Sequence, residues 1–328
     1  MMKIAYIKNE NLPYDNHEII QTFKENGVAV VSTTQQNSED NIIECLNQER
    51  PAFAFCVFQK GKWDGFFSAV KQACVPVVAW TTDDPYSLDY TKRRIHHFDY
   101  LFSPDKYAAT VYRKLGHQRT YVLPYGTLPN LFYHDPSKKR IYESDVCLIG
   151  DADDKRASYV EYLYRQTDWT IRVVGRGWKE AIMNFKPSTR LLAVNYWVPP
   201  SIARLFYSNS KIVLNIPPVY KTLDNATGFP AHGPSSDFYQ IAGCKAFQIA
   251  EKRKGISELF HSPKTIVQMN SKEECLAFAS HYLRNEEDRT LMAEAAFNEV
   301  TSRHLLSHRL QSLIETIQEQ FVTNPERI

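Results

Sequence analysis

The feature that most constrains this chain is an alternation of short apolar runs with amphipathic stretches. In the first half, runs rich in β-branched and aromatic residues lie at 3–7, 28–32, 52–57, 75–80, 100–103 and 121–123. Between them, segments such as 17–25 carry apolar residues at helical spacing. Nearly continuous apolar strands separated by helices are typical of a parallel sheet covered on both faces. A second series of this kind begins at Asp145, so the sequence predicts two successive Rossmann-like α/β domains.

The boundary between the two series is marked by a change in composition. Residues 124–142 are rich in Pro, Gly, Asn and His, carry a basic cluster and show no clear period, which is typical of a linker. A chain of 328 residues fits two ordinary domains. We therefore predict domains at 1–140 and 141–305, and a C-terminal helix at 306–328 that packs back on the first domain. Because doubly wound sheets bind ligands at the carboxyl ends of their strands, the domains are expected to face one another across a cleft.

Composition excludes several classes of protein. The formal charge is +2, from 39 basic and 37 acidic residues, so no excess charge favours binding to nucleic acid. The six cysteines lack CxxC spacing and indicate buried thiols of a reducing compartment. No run approaches the roughly 20 apolar residues that span a bilayer, and the N-terminus does not resemble a signal peptide. We expect a cytoplasmic protein.

The first candidate site is a strand that runs through Gly150 into the start of a helix with Lys155 and Arg156. Backbone amides at a helix N-terminus, together with two cationic side chains, favour a diphosphate. In the alternative interpretation, Asp153 or Asp154 caps the helix and pairs with the basic residues. The sequence leaves both open.

A second candidate follows another strand, where Gly175 and Gly177 flank Arg176 and precede Trp178. Glycines after a strand let the chain approach a ligand closely, so a base or ribose could lie along this turn with Trp178 as its wall. The alternative is a left-handed turn followed by a core tryptophan, and the motif alone favours it. The spacing is not a GxGxxG fingerprint and supports no dinucleotide site.

A third candidate is the loop of about 20 residues that precedes the helix near 238–244. Loops of this length inside a compact domain are generally functional or disordered. Hydroxyls and amides there could hold phosphate or sugar oxygens, and a side-chain amide could bind a ribose. The candidate ligands are His232, Gly233, Ser236, Tyr239 and Gln240. A flexible loop without a ligand remains the alternative.

A fourth candidate is the pair Asp83 and Asp84, at the carboxyl end of a first-domain strand. One carboxylate there could deprotonate a hydroxyl as a general base. Alternatively, Asp84 and Pro85 only begin a turn, and we favour a structural or positioning role. Two adjacent carboxylates are weak evidence for a metal, and the histidines show no ligand spacing with a third partner. No metal site is predicted.

Taken together, these segments resemble the CgeB-like group of GT-B glycosyltransferases, named for a spore maturation protein. The resemblance spans most of the chain and depends on the order and spacing of short motifs. The motifs lie at 80–85, 97–105, 123–124, 145–150, 175–178, 207–215 and 283–289.

The resemblance implies transfer of a sugar from a nucleoside diphosphate donor, of UDP or dTDP type, to an acceptor. The second domain would hold the donor, and the first would hold a glycan, protein or small-molecule acceptor. The name of the family suggests a glycan or protein of the spore surface as the acceptor. No metal or tightly bound cofactor is implied, because helix dipoles and basic residues can stabilise a leaving phosphate. A homodimer is left open.

The resemblance also assigns positions. Gly150, Lys155 and Arg156 would face the diphosphate, and the turn 175–178 would approach the nucleoside. Asn215 and the loop through His232 and Gly233 would line the sugar and phosphate. The catalytic candidates by position are Asp83, Asp84 and His232.

The chain departs from the pattern of related enzymes at one helix. An arginine, a ribose-binding glutamate and a glycine are replaced by Asp237, Gln240 and Lys245. Retaining enzymes of this architecture often carry two glutamates eight positions apart, and the matching positions here hold His232 and Gln240. Two alternatives therefore stay beside transfer: a catalytically silent binding or assembly protein, and a nucleotide-sugar epimerase.

Overall fold

The computed structural model describes residues 2–9, 16–137, 139–185, 188–260 and 265–323. They form two compact units. The first comprises the described parts of Met1–Tyr125, Tyr220–Gly233 and Leu306–Ile328, and the second those of Gly126–Val219 and Pro234–Leu305. The segment Tyr220–Gly233 therefore packs with the first unit, although we had predicted it within the second domain.

The first unit contains a six-stranded, all-parallel sheet. Its strands are β1 (Lys3–Lys8), β2 (Ala29–Thr34), β3 (Ala54–Phe58), β4 (Val77–Thr81), β5 (Tyr100–Ser103) and β6 (Thr120–Val122). They lie in the order β2-β1-β3-β4-β5-β6, so the chain reverses its direction across the sheet between β1 and β3. The helices of this unit are α1 (Asn16–Glu25), α2 (Glu39–Glu49), α3 (Asp64–Gln72), α4 (Leu88–Lys92) and α5 (Lys106–Lys114).

The second unit repeats this architecture. Its strands are β7 (Ser144–Ile149), β8 (Ile171–Val174), β9 (Leu191–Val194), β10 (Ser210–Asn215), β11 (Gln248–Glu251) and β12 (Val267–Met269). They are all parallel in the order β12-β11-β10-β7-β8-β9, which is the 3-2-1-4-5-6 order of the Rossmann fold. The topological switch point, where ligands bind in such sheets, therefore lies between β7 and β10.

Seven helices of the second unit are described, and one last helix belongs to the first unit. They are α6 (Asp154–Gln166), α7 (Trp178–Ala181), α8 (Pro200–Asn209), α9 (Ser236–Gly243), α10 (Lys254–Leu259), α11 (Lys272–Arg284), α12 (Glu286–Arg303) and finally α13 (Leu306–Thr323). On α13, the Phe321 ring lies 6.5 Å from that of Phe53 and 6.2 Å from that of Tyr100. The C-terminal helix thus packs against the first sheet.

The elements follow from their sequences. The apolar runs of β3 and β4 are buried throughout, as expected for strands covered on both faces. Side-chain caps start four of the helices, because an oxygen at the N-cap accepts a hydrogen bond from an otherwise unpaired amide. The capping residues are Ser38, Asp105, Asp153 and Ser271. The prediction of two Rossmann-like α/β domains is confirmed.

Candidate functional site

Two glycine turns lie side by side at the carboxyl edge of the second sheet. Gly150 follows β7 with φ +144°, and Gly175 follows β8 with φ +146°. A Cβ on Gly175 would lie 2.4 Å from the Gly150 carbonyl oxygen, and a Cβ on Gly150 would lie 2.7 Å from Cζ of Arg156. Only glycine fits either position, so this edge presents main chain without side chains.

Arg156 joins the two strands that flank the switch point. Its Nε donates to the carbonyl oxygen of Ile216, just after β10, at 2.7 Å. Its Nη1 donates to the carbonyl oxygen of Asp151, just after β7, also at 2.7 Å. The side chain is buried, so the guanidinium places a fixed positive charge directly beneath the Gly150 turn.

The first turn of α9 lies at the same switch point. Ser235, its N-cap, makes no capping hydrogen bond, and its Oγ donates to Oδ1 of Asn215 at the end of β10, at 3.1 Å. Nδ2 of Asn215 in turn donates to Oε1 of Gln248, at 3.1 Å. The first amides of α9, beginning at Ser236, thus receive no side-chain cap, and a helix start of this kind is suited to an anion.

Charged side chains also lie at this edge of the sheet. Nζ of Lys155 lies 2.7 Å from a carboxylate oxygen of Glu251, at the end of β11. Burial raises the pKa of Asp237, against the opposing charges of Arg156 and Arg253. The edge therefore carries three cationic groups, and one of them, Lys155, is paired with the carboxylate of Glu251.

The turn after β8 also has an ion pair. Arg176 is exposed, and its guanidinium and its backbone amide donate to the two carboxylate oxygens of Asp151, at 2.6 Å and 2.8 Å. Gly177 has φ +81° and precedes α7. The pair fixes the chain between Gly175 and Gly177 and leaves its outer face to solvent.

Two predicted ligands of the second unit are buried. The Trp178 ring is fully buried in the core, and Nε1 donates to the Gly150 carbonyl oxygen at 2.8 Å. The Tyr239 ring is fully buried against Phe238 and Phe260. A fully buried ring has no surface for a ligand, so the predicted ligand contacts of Trp178 and Tyr239 are corrected to core roles. For Trp178 this is the alternative that the motif alone favours. Gln240 is also buried.

In the first unit, Asp84 is a structural residue. Its Oδ2 accepts hydrogen bonds from Thr81 at 2.6 Å and Ser103 at 2.8 Å, and its Oδ1 accepts one from Tyr112 at 2.7 Å. Burial raises its pKa against these hydrogen bonds. Because both oxygens are occupied inside the protein, Asp84 has the structural role that we favour from the sequence, and its candidacy as a general base is corrected.

Asp83 differs from its neighbour. Its side chain is only partly buried, and Oδ1 accepts a hydrogen bond from Nε2 of Gln59 at 3.3 Å. Burial, with the adjacent Asp84 charge, raises the pKa of Asp83 to about 6. A carboxylate with such a pKa suits proton transfer near neutral pH, so Asp83 is the better candidate of the two for a base.

His232 and Gly233 lie with the first unit, whereas we had predicted them among the ligands of the second domain. Their backbone amides both donate to Oδ2 of Asp105, at 2.5 Å and 3.3 Å. The His232 ring is buried, with its centroid 4.6 Å from that of Tyr107. We did not single out Asp105 for this role; the only signal was an aspartate before a helix, which indicates a cap.

Two classes of feature are absent from the described residues. Across the described ranges, no group of three or more His, Cys, Asp or Glu side chains could hold a metal ion. Of the helices described, none combines the length and apolar character needed to cross a membrane.

Known proteins resemble this chain in sequence and in fold. A sequence family described as glycosyl transferase-like matches residues 156–315. The chain is 25% identical to the spore protein CgeB of Bacillus subtilis over 228 residues, which cover 69% of this chain and 70% of that protein. The predicted resemblance to CgeB-like glycosyltransferases is confirmed.

Solved structures share the fold. Anabaena HepE in complex with UDP-glucose is 12% identical with a TM-score of 0.68, over 97% of this chain and 100% of that one. Sucrose-phosphate synthase from Thermosynechococcus elongatus is 10% identical with a TM-score of 0.69, over 98% of this chain and 100% of that one. The fold is therefore that of the GT-B glycosyltransferases.

Proposed function

We propose that this chain transfers a sugar from a nucleoside diphosphate donor. It has the fold of a glycosyltransferase, and residues 156–315 have the sequence pattern of one. One observation carries the assignment of the donor to the second unit. The uncapped first turn of α9 meets the bare Gly150 turn and the buried Arg156 guanidinium at the switch point of the sheet. Amides, a helix dipole and a fixed cation together favour a diphosphate.

The bound form of HepE supports the choice of donor, since that protein was solved with UDP-glucose. We take UDP-sugars as the favoured donors of this chain. The same amides and cations would stabilise the leaving diphosphate without a metal ion. The acceptor would be a hydroxyl group of a glycan, a protein or a small molecule. We place the reaction in the cytoplasm, where activated sugars are made.

The residue roles follow from where each side chain lies. Gly150, Ser236 and Asn215 would line the diphosphate and sugar, with Arg156 beneath them. Lys155 would exchange Glu251 for a phosphate oxygen on binding. Gly175, Arg176 and Gly177 would approach the nucleoside. In the first unit, Asp83 would accept the proton of the acceptor hydroxyl. The backbone amides of His232 and Gly233 bind Asp105 and would hold their loop in place.

Calorimetric titration of the full chain with UDP, dTDP, GDP and ADP tests the donor site. Lys155→Ala should weaken binding of UDP by about ten- to a hundred-fold, because a hydrogen bond to a charged group is lost. Glu251→Gln should leave binding unchanged or tighten it, because it frees Lys155. Arg165→Ala is the matched control, since Arg165 lies at the far end of α6 in an exposed pair with Glu161. If none of the four nucleotides binds, the proposal fails.

A silent assembly protein is the remaining alternative, because the carboxylates expected at the positions of His232 and Gln240 are absent. Incubation with UDP-glucose, followed by detection of released UDP, separates the two. Turnover that falls in Lys155→Ala excludes the silent protein, whereas binding without turnover, for every donor and acceptor offered, supports it. An epimerase is not favoured, because the sequence match of residues 156–315 is to glycosyltransferases.

A further inference from the structure

Two adjacent aromatic side chains are exposed just after β9. The exposed fraction is 63% for Tyr196 and 66% for Trp197. Single exposed apolar residues are normal on a protein surface. Two large neighbouring rings at a sheet edge that already carries a candidate ligand site are less expected, and the site described above does not use them.

The loop that presents these rings is held at both ends. Before them, Oδ1 of Asn195 accepts a hydrogen bond from the backbone amide of Lys179, at 3.0 Å. After them, Val198 is buried in the core, and Pro199 and Pro200 lead directly into α8. Proline fixes φ, so the backbone on this side is stiff. A ligand would therefore meet rings on a backbone that is already ordered, which lowers the entropic cost of binding.

The strand order places the rings in line with the glycine turns. Strand β9 pairs with β8, and β8 pairs with β7, all in parallel. From β7 to β9 is two strand spacings, roughly 10 Å. In sheets of this order, the pyrophosphate lies at the turn after the first strand and the ribose near the end of the second. The next position along that line, after the third strand, is occupied by Tyr196 and Trp197.

We propose that Trp197, with Tyr196 beside it, is the platform on which the donor nucleobase stacks. This inference rests on the proposed donor site and adds the recognition of the base. Every nucleobase has a π face, so an aromatic platform contributes affinity with little choice among bases. The loop would therefore favour nucleotides over sugar phosphates, and would leave the choice of base to other groups.

Fluorescence gives the direct test, because Trp197 is the most exposed of the five tryptophans. Trp63, Trp80 and Trp178 are fully buried, and Trp169 is partly buried just before β8, at the opposite edge of the sheet. Titration of the full chain with UDP should quench the emission. The quench should persist in Trp169→Phe and disappear in Trp197→Phe.

Affinity gives the second test. Trp197→Ala should weaken UDP binding by about five- to hundred-fold, the range expected for loss of one base–aromatic stack. Trp197→Phe keeps an aromatic face and should stay within about three-fold of the wild type. Pyrophosphate has no base, so its binding should be the same in the wild type and in Trp197→Ala. Circular dichroism confirms that each variant is folded.

The outcomes separate this inference from the proposed function. If no nucleotide binds the wild type, both fail. If UDP binds Trp197→Ala as tightly as the wild type, the donor site stands and the platform is overturned. The platform is also overturned if the alanine variant loses pyrophosphate and UDP equally, or if glucose alone quenches Trp197 and UDP does not.

Discussion

At the scale of single residues, the edge of the second sheet depends on glycine for its shape. Gly175→Ala should destabilise the protein by about 2–4 kcal/mol, because a Cβ there would lie 2.4 Å from the Gly150 carbonyl oxygen at a positive φ. Urea unfolding measures this difference. Gly65→Ala is the control: Gly65 lies in α3 with no atom within 4 Å of an added Cβ. That change should be neutral or stabilising by up to about 1 kcal/mol, and equal effects at the two positions would contradict the account.

Asp83 should make stability depend on pH. Its pKa rises from 3.8 to about 6 on folding. Well below pH 3.8 the carboxyl group is protonated in both states, and as the pH rises through 6 the folded state comes to hold a partly buried charge. The free energy of unfolding should therefore fall over this range. Asp83→Asn should be more stable than the wild type by about 1–3 kcal/mol at pH 7.5, and by no more than about 0.5 kcal/mol at pH 4.

Urea unfolding of Asp83→Asn at the two pH values provides the measurement. Glu44→Gln, at an exposed position on α2, is the control and should match the wild type at both. A stabilisation by Asp83→Asn of the same size at pH 4 and pH 7.5 would show that the charge is not the cause.

Residue types predicted backbone conformation better than they predicted the burial of side chains. Gly150 and Gly175 were recognisable as turn residues, because a glycine directly after a strand indicates a backbone conformation that other residues rarely adopt. The motifs favoured a core position for Trp178 and a structural role for Asp84, and both side chains are buried. The burial of Tyr239 was not recognisable, because an aromatic residue in a helix can point either into the core or out of it. The contacts that decide this, such as the bond from Trp178 to the Gly150 carbonyl oxygen, join residues distant in sequence.

At the scale of elements, Asp105 organises two segments of the first unit. Its Oδ1 accepts the amides of Tyr107 and Ala108 at the start of α5, and its Oδ2 accepts those of His232 and Gly233. Asp105→Ala should destabilise the protein by about 2–4 kcal/mol, because four amides lose a charged partner. It should also open Tyr220–Gly233 to limited proteolysis.

Ser38→Ala is the control for this cap. Ser38 starts α2 with one exposed hydrogen bond of 3.4 Å, so its loss should cost about 0.5–1 kcal/mol and leave the cleavage pattern unchanged. If Asp105→Ala leaves the cleavage pattern of Tyr220–Gly233 unaltered, Asp105 does not hold this segment.

Most strands were predictable from the sequence to within two residues, because apolar runs of β-branched residues have few alternatives. Strand β9 was missed. Its four residues, Leu-Leu-Ala-Val, are too short to show a period, and pairing with β8 is what makes them a strand. Without β9, the sequence did not indicate that Tyr196 and Trp197 follow a strand. Their position at the edge of the sheet is what makes these exposed aromatic residues candidates for ligand binding.

At the scale of the whole molecule, each sheet has a point where the order in which the chain adds strands reverses. It lies between β1 and β3 in the first sheet and between β7 and β10 in the second, and only the second sheet has the Rossmann order. The apolar and amphipathic pattern was sufficient to predict two such units. It could not show that Tyr220–Gly233 packs with the first unit, because that packing depends on side chains such as Asp224, which pairs with Lys60 at 2.6 Å. The segment leaves β10 and leads to α9, so both ends connect to elements of the proposed donor site.

The central claim is that a nucleoside diphosphate binds at the switch point of the second sheet. Hydrogen–deuterium exchange of the full chain, with and without saturating UDP, tests it directly because it locates the bound ligand. The account predicts slower exchange at 150–156, at 175–179 and at 235–238, with no change in α2 or α11. Slower exchange confined to the first unit, or to segments away from the β7 and β10 ends, would contradict it.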